Sequence, residues 1–125
     1  MGEILSTIDP PLLRRGEVWI VDFDPTRGAE IQKKRPYVIV SSDAIGRLPI
    51  KMVVPITEWK DLFERNLWHV KLEPSKSNGL SKTSALDALQ TRGVDVKRFI
   101  RKLGRLTPME MDDLAAAIAA VIEYQ

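Results

Sequence analysis

The sequence predicts a single α+β domain, mainly β, with one helix at its C-terminal end (about 108–124). Three observations carry this. Short apolar runs of strand length alternate with Gly, Pro, Ser and Asn; a capped amphipathic pattern is confined to the end of the chain; and 125 residues suit one modest core.

Residues 1–13 carry Pro10-Pro11 and no sustained periodicity, and are read as a loosely held arm. The domain itself is assigned to 14–125. Glu17 to Phe23 is apolar, β-branched or aromatic, with charges at both margins, which makes a strand. Asp24-Pro25-Thr26-Arg27-Gly28 has turn chemistry, since Pro presets φ and Gly permits a positive one. Tyr37 to Val40 is a buried strand. Met52 to Ile56 is another, placed at an edge or bulge by Pro55, which lacks an N–H for a ladder.

Glu58 to Asn66 reads equally as a helical turn or a loop. In Leu67 to Leu72, alternation sets Trp68, Val70 and Leu72 on one face and His69 with Lys71 on the other. A loop follows over Pro74 to Lys82, then an extended stretch from Ser84 to Gln90. A short helical turn is expected at Val94 to Arg98 and a strand near Ile100 to Leu106. The last element opens with Thr107-Pro108-Met109-Glu110, an N-cap, a proline at the first helical position and the Glu of a capping box. Met111, Leu114, Ala115, Ile118, Val121 and Ile122 then share one helical face, which packs on the sheet.

Composition excludes several chemistries. The chain has no cysteine, so disulfides, thiolate nucleophiles and thiolate metal ligands are absent, as suits the cytoplasm. No apolar run reaches the ~18 residues of a membrane span, and the N-terminus lacks the basic-then-apolar order of a signal peptide. Phosphate-cradling Gly-rich motifs, zinc spacings and the Gly-x-Ser-x-Gly elbow are all missing. Net charge is only +2, but its distribution is uneven. Arg92 to Arg105 holds six bases against Asp95, and Arg27, Lys33, Lys34 and Arg35 surround Glu30. From Glu110 onward there are four acids and no base. A basic face opposed by an acidic end is the footprint of a nucleic-acid partner, or of a solvated surface with an acid-biased helix.

Arg35 is the leading candidate for chemistry. Pro36 holds its backbone extended, and a guanidinium grips a phosphate through parallel hydrogen bonds. The bland alternative is an ordinary surface arginine. Thr57 closes the run Val53-Val54-Pro55-Ile56, where its hydroxyl serves a phosphate or ribose, or caps the turn that follows. Glu30 is the nearest carboxylate to Arg35, as a general base or as local charge balance. Asp22 and Asp24 are assigned structural roles, with Mg²⁺ binding as the alternative. The single histidine, His69, excludes a His–His pair and is read as surface decoration. Trp19 and Trp68 are read as core or interface; Trp59, close to Thr57, is the candidate for stacking on a base.

Taken in order, these motifs resemble the MazF/PemK family of toxin endoribonucleases. The match runs through Arg15-Gly16-Glu17-Val18-Trp19, Val21-Asp22-Phe23-Asp24-Pro25, Gly28-x-Glu30, Arg35-Pro36 and the strand ending in Ser41. It continues through Val54-Pro55-Ile56-Thr57, Gln90-x-Arg92-x-x-Asp95 and Gly104-x-Leu106 before the capped helix, covering roughly residues 15–124. It departs from many members at Ala29-Glu30-Ile31, where a hydroxyl or His and then Glu-Gln are common.

The resemblance implies an SH3-like barrel or strongly curved antiparallel sheet, acting as a homodimer. It implies a sequence-specific endoribonuclease that cleaves single-stranded RNA without metal or cofactor and is neutralised by a cognate antitoxin with an acidic, disordered tail. The family's catalytic Arg and Thr fall on Arg35 and Thr57, its loop Glu on Glu30 and its late-strand Gln on Gln90. RNA binding is expected from Arg27, Lys33, Lys34, Trp59, Gln90 and Arg92. The inventory fits transesterification by the ribose 2′-OH, leaving 2′,3′-cyclic phosphate and 5′-OH ends, because the substrate itself supplies the nucleophile. The rivals are a non-catalytic SH3-like binding module and a gyrase poison of the CcdB type. The latter relies on a C-terminal aromatic, which Glu123-Tyr124-Gln125 matches poorly.

Overall fold

The computed structural model describes residues 13–23 and 34–124. The expected turn at Asp24 and most of the basic loop, including Arg27, Glu30 and Lys33, lie outside the described residues, as do residues 1–12. The arm reading is corrected at its last residue: Leu13 is buried against Val21, Tyr37 and Ile39.

Seven strands form one antiparallel sheet: β1 (Glu17–Asp22), β2 (Lys34–Ile39), β3 (Ile50–Glu58), β4 (His69–Leu72), β5 (Ser84–Asp87), β6 (Arg92–Asp95) and β7 (Phe99–Arg105). Their order is β4-β5-β3-β2-β1-β7, with β6 also on β3. Among the described residues no pairing joins β4 to β7, so the sheet is strongly bent but open. Helix α1 (Pro108–Val121) follows. It is not long and apolar enough to cross a membrane, and neither is any other helix among the described residues.

Strand β3 is the hinge of the architecture. Its start pairs with β6, its middle with β2 through Val53, Val54 and Pro55, and its end with β5 through Ile56, Thr57 and Glu58. This corrects the edge placement of Pro55, which sits in a central strand where the ladder changes partner. Pro36 and Pro55 have no N–H to give, and the β2–β3 ladder stops at the Tyr37–Pro55 pair.

Alternation along the strands divides the core in two. Val18, Val38, Val54, Ile56, Leu72 and Leu86 meet Met111, Leu114 and Ala117 of α1 on one face. Val21, Tyr37, Ile39, Val53 and Val94 pack on the other, half covered by Trp19, Phe23 and Phe99. The helix starts as its sequence dictates. Thr107 Oγ1 accepts from Glu110 N at 3.1 Å, and Glu110 Oε1 accepts from Thr107 N at 2.8 Å. The expected face needs correction: Ala115 and Ile122 are exposed and Ala117 points inward. The helix also ends earlier than the sequence suggests.

Glu17 ties β1 to β7. It is 5% exposed, and its carboxylate accepts from Arg14 N at 3.0 Å and Trp19 Nε1 at 2.9 Å, with Lys102 Nζ at 3.1 Å. Burial alone raises its pKa, but these donors and the ammonium outweigh that and hold it below the ordinary 4.5. A depressed carboxylate gives stability that is complete above the unfolded value and lost as pH falls through the folded one. Denaturant midpoints measured from pH 6 down to pH 2 should therefore fall below about pH 4.5, and Glu17→Gln should flatten that fall. An unchanged slope in Glu17→Gln would remove the assignment.

Candidate active site

Because side chains alternate, Arg35 shares the helix-free face with Tyr37 and Ile39. On β3 the same face carries Val53, Pro55 and Thr57. Arg35 and Thr57 each lie two residues beyond the Tyr37–Pro55 pair, on the same face, at the point where the ladder opens. A cleft of about 250 Å³ beside this point is lined by Pro36, Ile56, Thr57, Leu80, Ser81 and Ser84 among others; it opens toward the other face of the sheet, and Arg35 does not line it. Arg35 is exposed and Thr57 half-buried. Neither side chain has a hydrogen-bond partner among the described residues. Thr57 is not a cap either: the N-cap of the following 3₁₀ turn, Asp61–Arg65, is Lys60, which makes no side-chain cap bond.

A second guanidinium joins from β6. Arg92 pairs with Val53 and so lies on the same face. It stands 4.0 Å above the Phe23 ring, which meets Tyr37 edge-on at 5.0 Å. Burial pushes the Tyr37 hydroxyl above its ordinary pKa, while Arg35 and Arg92 both pull it down. Two cations thus flank one phenol. Sequence reasoning missed Tyr37 as a site residue, although its position two places after Arg35 puts both on one face.

The row through Thr57 continues across β5 to β4: Thr57 pairs with Ala85, and Ala85 with Lys71. Lys71 Nζ lies 5.1 Å from the Trp59 ring centroid, a cation–π contact. Trp59 also meets Phe63 edge-on at 5.7 Å, and its Nε1 is buried without a partner among the described residues. The indole expected to stack on a base is therefore already engaged by Lys71 and Phe63. Lys34 falls on the opposite face from Arg35, by alternation, and does not join this cluster.

His69 is the clearest misreading. Its side chain is 6% exposed, stacked on Phe63 at 3.8 Å and bonded through Nδ1 to Asn66 Nδ2 at 3.1 Å, so it is not surface decoration. Its Nε2 faces Asp87 Oδ2 at 3.8 Å. Asp87 also accepts from Leu89 N at 3.1 Å and from Gln90 Nε2 at 2.7 Å. Gln90 thus reaches the site through Asp87, two residues along the strand from Ala85, the partner of Thr57.

The comparisons agree with this architecture. Residues 14–122 match the family described as PemK-like, MazF-like toxin of type II toxin-antitoxin system. The chain is 32% identical over 113 residues to endoribonuclease MazF9 of Mycobacterium tuberculosis, covering 86% of this chain and 93% of that one. It is 30% identical over 112 residues to endoribonuclease PemK of Escherichia coli, covering 88% and 82%. Among solved structures, an endoribonuclease in complex with its cognate antitoxin from a mycobacterial species superposes with TM-score 0.71 at 22% identity, covering 90% and 96%. The MazE–MazF complex of Deinococcus radiodurans gives 0.72 at 18% identity, with the same coverage. These last two likenesses speak for the bent sheet and helix alone. The family match and the relatives at this identity go further: the chain belongs to the PemK-like, MazF-like toxins of type II toxin–antitoxin systems.

Proposed function

We propose that this chain cleaves single-stranded RNA at Arg35 and Thr57, with the ribose 2′-OH as nucleophile. The observation that carries the reading is a guanidinium and a hydroxyl on one face, each two residues beyond the Tyr37–Pro55 pair and both without partners among the described residues, where the β2–β3 ladder opens. The 2′-oxygen attacks the adjacent phosphorus, the bond from phosphorus to the 5′-oxygen breaks, and the products are a 2′,3′-cyclic phosphate and a 5′-OH. The proton leaves the 2′-OH and one is returned to the departing 5′-oxygen. Negative charge gathers on the phosphoryl oxygens, where Arg35 stabilises it, with Arg92 a further cation on the same face. Thr57 orients the phosphate or the 2′-OH. Glu30, outside the described residues, is the base in this scheme, and Arg27 and Lys33 of the same loop hold the strand.

The reaction as written needs neither metal nor cofactor. Incubation of the purified chain with single-stranded RNA and a chelator should give cyclic phosphate and 5′-OH ends; cleavage only with Mg²⁺, or 5′-phosphate ends, would overturn the scheme. Thr57→Ala should lower the rate by up to about tenfold, the worth of one neutral hydrogen bond, and Thr57→Ser should restore it.

The partners follow from surface chemistry. Ile45, Leu48, Ile50 and Met52 are exposed apolar residues close together in the chain, the surface a second copy would cover in a homodimer. The basic face suits the acidic, disordered tail of a cognate antitoxin. We place the protein in the cytoplasm, with its RNA substrate.

A further inference from the structure

Gln90 is exposed, yet its amide is not free to turn. Its Nε2 lies 2.7 Å from Asp87 Oδ2, and a carboxylate can only accept. The amide must therefore give Asp87 its N–H, which leaves the carbonyl Oε1 pointing away as an acceptor.

Asp87 is itself held on every side. It is 8% exposed, its Oδ1 accepts from Leu89 N at 3.1 Å, and His69 Nε2 stands 3.8 Å from Oδ2. His69 is fixed in turn by the Phe63 stack at 3.8 Å and by Asn66 Nδ2, 3.1 Å from its Nδ1, with Nε2 turned toward Asp87. Two residues along β5 and one strand across place the Asp87 Cα roughly 8 Å from that of Thr57. Gln90 can therefore meet the same RNA strand that Arg35 and Thr57 engage.

We propose that Asp87 is a specificity-determining positioning residue: it locks the Gln90 amide so that Oε1 accepts from the exocyclic amino group of a base near the scissile phosphate. A base bearing such an amino group is favoured at that position and uracil, which has none, is disfavoured. The proposal rests on the RNA-cleavage reading. Single-stranded RNA is read in this way, by hydrogen bonds to unstacked base edges.

The test is Asp87→Asn. Leu89 N–H still needs an acceptor, so the amide oxygen of the new side chain stays on it and the amide nitrogen turns to Gln90. The glutamine must then flip and present its NH₂ outward. End-sequencing of a randomised RNA pool cut by wild type and variant reads the fraction of cuts for each base. The preference for amino-bearing bases over uracil at one position should fall by about tenfold. Adding Gln90→Glu to Asp87→Asn puts an acceptor back outside and should restore the wild-type profile. A merely structural Asp87 would change the total rate and leave the profile alone, and an unchanged profile in Asp87→Asn overturns the proposal. Should the wild type cut no RNA, the cleavage reading fails separately. Affinities of wild type and Asp87→Asn for oligoadenylate and oligouridylate then decide the point, equal adenine-to-uracil ratios overturning it.

Discussion

Arg35→Ala should lower RNA cleavage by roughly 10²–10³-fold, the usual cost of removing one preorganised donor from a developing oxyanion. The argument is electrostatic. The phosphodiester is already charged in the ground state, and further charge accumulates on its oxygens as the 2′-oxygen attacks. A guanidinium stabilises that excess only if it does not have to move. Arg35 meets the condition because β1 holds its backbone through the Val21 pair and Pro36 holds the next residue extended. No acid among the described residues neutralises it. The fold should not notice the loss, since the side chain is exposed, and the melting temperature of the variant is the control. Arg35→Lys keeps the charge but loses the fork, so it should recover only part of the rate. Cleavage within a few-fold of wild type in Arg35→Ala would remove Arg35 from the site. The contrast with Thr57 is quantitative: a charged donor at the reacting phosphate outweighs one neutral hydroxyl by at least an order of magnitude.

Much of this arrangement is legible in the residues alone. Strands such as β1 and β2 announce themselves because they are buried on both faces, which demands continuous apolar runs. The helix cap is legible because its signals are local, within four residues of chain. Arg35 and Thr57 are each legible as motif residues, but their shared face where the ladder opens depends on the register of β2 against β3. No property of either residue encodes that register. His69 misleads for a related reason. Its alternation with Lys71 looks like a solvated strand face, whereas Phe63, delivered by the 3₁₀ turn just before, covers the imidazole. Pro55 misleads because the rule against central prolines assumes a ladder that needs every donor. At this corner the strand is changing partners, and a missing N–H helps end one ladder as another begins. Asp87 escapes notice because its significance lies in what it does to Gln90, three residues on.

Gly104→Ala should be among the most damaging small substitutions in the described chain, costing about 3 kcal/mol or more and on the order of 10 °C in melting temperature. The loop from Glu73 to Gly79 is wound around Asn78, which is fully buried. Asn78 Oδ1 accepts from Ser75 N and Leu80 N, each at 3.0 Å, and its Nδ2 donates to Glu73 O at 2.9 Å. This rigid loop lies directly on β7, with Arg105 N donating to Ser77 O at 2.8 Å. A Cβ on Gly104 would run into the Ser77 carbonyl oxygen and come within 2.7 Å of the Asn78 carbonyl carbon. Both obstacles are backbone, so no rotamer change relieves them. Gly79 faces β7 from the other side, its Cβ position blocked by the Leu103 carbonyl and its φ at +70°. The two glycines are what allow loop and strand to touch. Gly46→Ala is the internal comparison: φ is +83° and ψ −132° there but no atom lies within 4 Å, so only the backbone strain of that glycine-favouring region, ~1–3 kcal/mol, applies. Thermal unfolding of both variants separates the terms. A Gly104→Ala protein melting at or above the Gly46→Ala protein would show that the loop can lift from β7. Otherwise the damage passes from β7 to β1, its paired neighbour, and from there to β2 and Arg35, so cleavage should fail together with the fold.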